Sequence, residues 1–427
     1  MTHAPDLLQP LPYHRRVADY LEAHEPSVWS WFSSDRARTE FADRIRLDLL
    51  KSAYRLERDT HADAYRLAEE AAGRLGISAP LTLYQSQQGA GMNAAVCWLP
   101  GEAHLLLTGP VLSVLSPNEA RAVFAHELGH FLLWEMDGRA LFTADQVLGA
   151  LARHPEAEPS HTRTAQLWSL YTEVFADRAA LHAVGDPLVA ISALVKIETG
   201  LAEVSAESYL RQADEIFAKE DPHAAGTSHP ETFIRARAVR LWAEQPDRAA
   251  AEVERMLEGP SRLDALDLPG QARLEGATRR LLRRLLSPPE LRTEGMLAHA
   301  RMFFDGFEPA DPQDPDPGLR EALHFEDPAL RDYVCWVLLD FAAADPTLED
   351  APLVAAFAIA EPLGLGDRLA ELAHKELKKK KKTLEQARKE GAAAGRGSAA
   401  AGAPAPDGAD GGEGNAKEAE PEEAAGP

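Results

Sequence analysis

One stretch constrains this chain more than any other: "RAVFAHELGHFLLW", residues 121–134. From Ala122 to Trp134 every side chain is apolar or small except His126, Glu127 and His130. A helix that is apolar on all faces belongs in a protein interior. Imidazoles and a carboxylate placed there need partners, because burying them bare is costly. The two histidines are four residues apart and therefore share one helix face, where both rings can reach a single metal ion. The neighbouring carboxylate can then act on the water that the metal activates. The helix is announced by Ser116-Pro117-Asn118-Glu119, with Ser as N-cap, Pro at the first helical position and Glu at the third.

The surrounding pattern indicates an α+β fold that is mostly α-helical. Residues up to about Gly76 keep apolar side chains at three-and-four spacing and read as helices. Strand-like pieces follow at 80–85, 93–99 and 102–108, the last two joined by a Pro100-Gly101 turn into a hairpin. The motif helix stops near Gly138, and a polar loop containing "RHPEAEPSH" leads to a second helix from about Thr164 to Val184. More helices run to Pro246, and the chain beyond is helical with Pro/Asp-rich breaks. From about Gly391 no large apolar residue remains, and that segment reads as disordered. The expected organisation is an N-terminal helical extension (1–35), a motif-bearing domain (36–245), an α-helical C-terminal domain (246–385) and a disordered tail (386–427).

A catalytic zinc site takes a third protein ligand. An extended motif supplying a third histidine would need Gly at 133 and His at 136. This chain has Leu133 and Met136, which excludes it. The better candidate lies in "AQLWSLYTEVFADRAAL", whose apolar stripe runs through Leu167, Leu170, Val174 and Leu181. Asp177 stands where another apolar residue is due, and Glu173 precedes it by one helical turn. Inward carboxylates make sense if Glu173 binds the metal and Asp177 accepts a ring N–H from His126. His154 and His161, in the intervening loop, are alternative ligands, and on a wet face Asp177 would pair instead with Arg163 or Arg178.

Together these residues resemble metallopeptidase family 48, the gluzincins of HtpX and CAAX prenyl protease type. The resemblance rests on His126-Glu127-Leu128-Gly129-His130, on Glu173 and Asp177, and on Ser228-His229-Pro230 with Arg235. The upstream "MNAAV" and the run into the motif helix are also similar, and the likeness covers roughly residues 56–241. It implies a zincin-type peptidase core with a small antiparallel sheet. It also implies one Zn2+ held by His126, His130 and Glu173, with Glu127 as general base and then acid. His229 would be a donor on the oxyanion side and Arg235 a site-ordering residue. The strand at 93–99 would offer its edge to an extended peptide, touching it at Asn93 and Ala94. The implied function is a zinc-dependent endopeptidase acting on a peptide or protein substrate. The alternative is a catalytically silent zinc-containing scaffold that binds peptides or partner proteins.

Unlike HtpX and the prenyl protease, this sequence has no apolar run near the ~20 residues a membrane helix needs. Its longest is "LVAAFAIA", residues 353–360. A formal net charge of −23 argues against nucleic acid and anionic membrane surfaces as partners. Cys97 and Cys335 are isolated thiols, and no basic-then-apolar leader opens the chain, so the expected location is cytoplasmic. Cys97 reads as a buried thiol in preference to a zinc-binding latch. Residues 325–377 resemble a TerB-type helical module, with Asp345-Pro346-Thr347 in the acidic loop where that module usually has Asp-Gly. Such a domain could receive a protein partner. The five lysines at 378–382 suit a solvated helix end.

Overall fold

In the computed structural model, which describes residues 8–87, 89, 91–311, 318–325 and 327–400, α1 (Pro12–His24), α2 (Pro26–Phe32) and α3 (Asp35–Ser52) precede a short strand, β1 (Ala53–Arg55). Then come α4 (Ala62–Arg74), β2 (Leu81–Ser86), β3 (Asn93–Leu99), β4 (Glu102–Thr108), α5 (Val111–Val114) and α6 (Pro117–Glu135). Five helices follow: α7 (Ala140–Ala152), α8 (Pro159–Val184), α9 (Pro187–Thr199), α10 (Ala206–Lys219) and α11 (Thr232–Glu244). The next is α12 (Pro246–Glu258). Proline opens α1, α2, α6, α8, α9 and α12. At that position its missing N–H is no loss and its fixed φ suits a helix.

The fold class is the expected one, α+β and mostly helical. The sheet has the order β1-β2-β4-β3. It is mixed, whereas an antiparallel sheet was expected: β1–β2 and β3–β4 are antiparallel, but β2 and β4 run parallel. The hairpin turn holds Gly101 at φ +76, in the left-handed region. Because β4 folds back against β2, β3 is left on the outside and presents an edge. Two elements escaped the sequence pattern. β1 interrupts the residues read as purely helical. α7 occupies part of the connection read as loop, since its sequence "ALFTADQVLGALA" is apolar on most faces and shows no stripe.

The core of the first unit gathers α1, α4, the sheet, α6, α7 and α8, with Phe124, Leu128, Leu105, Leu107, Leu170 and Phe175 fully buried. Helix α6 packs extensively against α8. A Cβ added at Gly129 would lie 2.8 Å from Ala179 Cβ and 3.0 Å from Ala176 Cα. Glycine there lets the two backbones approach.

The chain divides into two compact units, the first extending to Gly276 with a short return at 327–330 and the second starting at Ala277. Helices here are α13 (Leu268–Leu285), α14 (Glu294–Phe303), α15 (Leu319–Ala322), α16 (Pro328–Ala344), α17 (Ala351–Ala360), α18 (Gly366–Glu376) and α19 (Lys381–Ala400). Helices α13 and α16 span the division, and the others belong to the second unit. α19 continues into the stretch expected to be a disordered tail. Leu384 and Ala387 on it are buried. A Cβ at Gly391 would come within 2.6 Å of Val354 O and 2.8 Å of Phe357 Cβ on α17. Small residues were read as an inability to pack, and here they permit close packing, while alanine favours the helix itself. The rest of that tail, 401–427, lies outside the described residues.

Candidate metal centre

Helix α6 starts as the sequence indicated. Ser116 N–H donates to Glu119 Oε2 (2.8 Å), and Glu119 N–H donates to Ser116 Oγ (3.4 Å), closing a capping box. Glu119 also accepts from Ser192 Oγ (2.6 Å) and from the buried Lys196 ammonium (2.9 Å) on α9. The start of the motif helix is thereby tied to its neighbour.

The close α6–α8 contact at Gly129 brings four side chains together. His126 Nε2 and His130 Nε2 are 3.3 Å apart. Glu173 on α8 stands 3.5 Å from the first and 3.6 Å from the second. Asp177, one turn further, accepts from His126 Nδ1 at 3.0 Å. That bond leaves Nε2 of His126 to face the same point as His130 and Glu173. Donor atoms of His126, His130 and Glu173 all lie within 4.8 Å of one another and could hold a metal ion. Two further observations fit such an ion. The donor set of two imidazoles and one carboxylate is the one that zinc accepts in open catalytic sites. Glu173 Oε2 is buried with no hydrogen-bond partner, an expense that a cation would remove.

Arg235, on α11, is buried and grips Asp177 with two bonds, Nε to Oδ2 at 2.8 Å and Nη2 to Oδ1 at 2.7 Å. Its Nη2 also lies 3.3 Å from Glu173 Oε2. Asp177 therefore pairs with neither Arg163 nor Arg178. The alternative ligands are engaged elsewhere: His154 Nδ1 accepts from Glu156 N–H and His161 Nδ1 from Glu158 N–H.

His229 precedes α11 in the loop "AAGTSHPE". Its Nε2 lies 3.3 Å from Glu173 Oε1, its Nδ1 is 2.9 Å from Ser228 Oγ, and its side chain is 55% exposed. The loop folds so tightly that a Cβ at Gly226 would sit 1.9 Å from His229 O, and Gln166 Nε2 donates to Gly226 O (2.8 Å). From the other side, edge strand β3 contributes the Val96 N–H, which donates to the Glu127 carboxylate. Asn93 and Ala94 line the same cavity of about 430 Å³ as His126, Glu127, His130 and Glu173.

Charges in this cluster follow from burial and partners. Burial, helped by the Glu173 charge, raises the Glu127 carboxyl to about 7 against the opposing pull of His126, the Val96 N–H and Arg235. Burial works against the charged His126 ring too, but the hydrogen bond to Asp177 and the nearby Glu173 carboxylate outweigh it and hold that ring at about 10. Burial carries His130 down to about 4, with His126 and Arg235 adding to the effect. Burial also opposes ionisation of Glu173 and Asp177, yet Arg235 and His126 keep both below the usual carboxylate range. The cluster is thus a set of anions that gathers positive charge at His126, and a divalent cation would compete with that proton. Cys97 on β3 is a free thiol pushed up to about 11 by burial, which makes it a poor ligand.

Nothing in the sequence pattern marked Val96, Gly226 or the Glu119–Lys196 pair. A backbone donor and a tight loop leave no residue-type signature, and the pair joins helices whose packing is not written locally.

Residues 58–243 match the family described as "Peptidase family M48". The plastoglobule-localized metallopeptidase 48, chloroplastic, of Arabidopsis thaliana is 30% identical over 199 residues, covering 43% of this chain and 57% of that protein. The chain thus spans little more than half the length of that relative. No solved structure matches. No helix among the described residues is long and apolar enough to cross a membrane.

Proposed function

We propose that this protein is a zinc-dependent endopeptidase, a reading supported by the match of residues 58–243 to peptidase family M48. The observation that carries the reading is the convergence of His126, His130 and Glu173 donor atoms within 4.8 Å, with the buried Glu127 carboxylate beside them. One Zn2+ held by those three side chains would supply Lewis-acid chemistry, polarising a peptide carbonyl and lowering the pKa of water.

The chain's own groups do the rest. Glu127 takes the proton of the attacking water and returns it to the leaving amine. Its pKa near 7 suits a group that must both accept and donate near neutrality. The Val96 N–H fixes the orientation of that carboxylate. Asp177 accepts from His126 Nδ1 and so leaves Nε2 as the atom that would face a metal, and Arg235 holds Asp177. His229 is the donor to the oxyanion; its exposure leaves the ring free to swing from Glu173 toward a substrate. Substrate lies extended along the β3 edge at Asn93 and Ala94, adding a strand to the sheet. The two free thiols support a reducing compartment such as the cytoplasm.

Metal dependence tests this directly. Casein hydrolysis should vanish on chelation and return with one equivalent of zinc, and Glu173→Ala should lose zinc under the same chelator. A fully zinc-loaded protein inert on casein and on a broad peptide library would favour the scaffold instead.

A further inference from the structure

The cavity continues past His130 along α6. One turn on, on the same helix face, Trp134 places its ring centroid 5.9 Å from that of His130. Trp168 of α8 and Asp145 of α7 line the same cavity. Trp168 is buried, and its Nε1–H donates to Asp145 Oδ1 at 3.1 Å. Gln146 Nε2–H donates to Asp145 Oδ2 at 3.2 Å. These bonds fix the carboxylate but do not neutralise it. Asp145 makes no ion pair among the described residues, and Arg153 acts on it only through space, against a burial that disfavours its charge. Trp134 Nε1 is likewise buried without a hydrogen-bond partner. Two indoles and a carboxylate lacking a counter-ion therefore line the cavity that holds the metal-binding triad.

Asp145 is half-buried, and a carboxylate partly removed from water without a cation is left to be completed by one from a ligand. The chemistry that completes it is a guanidinium or ammonium group. Such a group gains a charge-assisted hydrogen bond from the carboxylate and a cation–π contact from the partly buried Trp134 indole. Arginine fits better than lysine, because its planar head stacks as well as pairs. The net charge of −23 favours the same class of ligand. Toward α9, by contrast, the cavity wall is aliphatic, with Leu194 and Ile197, so the preference belongs to one end of the site.

We propose that Trp134, Trp168 and Asp145 form a side-chain subsite that selects peptides carrying arginine or lysine close to the cleaved bond. It rests on the peptidase reading for its substrate and on the cavity for its selectivity.

The test uses the zinc-loaded full-length protein and internally quenched peptides that differ at one position only, Arg, Leu or Glu, scanned across the scissile bond. At one position the Arg peptide should exceed the Leu peptide in kcat/KM by about 10- to 100-fold, the range of a hydrogen bond to a charged group. Asp145→Asn keeps an acceptor for Trp168 and should collapse that ratio toward one through a loss on the Arg peptide that exceeds any loss on the Leu peptide. The same peptides are titrated into Glu127→Gln protein by tryptophan fluorescence, which reads selectivity without turnover. Equal kcat/KM for Arg and Leu at every position overturns the subsite, and so does an Asp145→Asn variant that loses activity equally on all peptides. Arg-selective binding together with no hydrolysis of casein by the wild type would instead overturn the peptidase reading and leave the subsite standing.

Discussion

Replacing Asp177 by Asn removes one charge and little else, and the structure says where the effect goes. Asp177 is 5% exposed and Arg235 4%. The carboxylate accepts two bonds from Arg235 (2.8 and 2.7 Å) and one from His126 Nδ1 (3.0 Å). An amide offers a single acceptor oxygen, so its NH2 must face at least one of these donors. Breaking a buried pair from one side costs about 3–5 kcal/mol. Arg235 keeps Glu173 at 3.3 Å and Glu198 at 3.8 Å, which argues for the low end, about 3 kcal/mol. Zinc affinity should also fall by about 10- to 100-fold as His126 loses the partner that orients it. Chelator competition measures the affinity, and thermal unfolding of the zinc-loaded protein should show a midpoint lowered by roughly 6–12 °C. A folded Asp177→Asn protein whose zinc affinity stays within about twofold of wild type would refute the orienting role, whatever its stability.

Two other substitutions probe the scaffold. Gly129→Ala forces a methyl to 2.8 Å from Ala179 Cβ and 3.0 Å from Ala176 Cα. It should cost about 1–3 kcal/mol and weaken zinc binding by moving α6 from Glu173; wild-type denaturation and zinc affinity would show that the contact is not tight. His14 is fully buried against Trp168, Tyr171 and Phe175, and burial carries its pKa down to about 3. The unfolded state then takes up a proton near pH 6.5 that the folded state refuses, so stability is lost as pH falls from 6.5 toward 3. The loss at pH 5 is about 2 kcal/mol. His14→Leu should lack it, seen as a smaller drop in urea midpoint between pH 7.5 and pH 5; equal drops would contradict a neutral buried ring.

What the sequence made legible was chemistry that depends on residue type and helical spacing. His126, Glu127 and His130 stood out because polar groups interrupt an apolar helix, and Glu173 and Asp177 because carboxylates break an apolar stripe. In the structure these side chains meet, with Asp177 on His126 Nδ1 as the spacing suggested. What stayed hidden was written in backbone approach. Gly129, inside the motif, sets the distance between two helices. Gly226 shapes the His229 loop, and α7, which brings Asp145 to the cavity, has too little polar contrast to show a face. The mixed sheet also could not be read from strand patterns, because the β2–β4 pairing depends on which side of β4 the hairpin leaves free.

The central claim is that Glu127 moves the proton at a zinc ion held by His126, His130 and Glu173. Hydrolysis of casein by Glu127→Gln protein, with bound zinc quantified in the same sample, tests it most directly. One zinc per chain and a rate lowered by about 10²- to 10⁴-fold, the usual contribution of a general base, is the expected result. Hydrolysis at the wild-type rate by the zinc-loaded variant would contradict it.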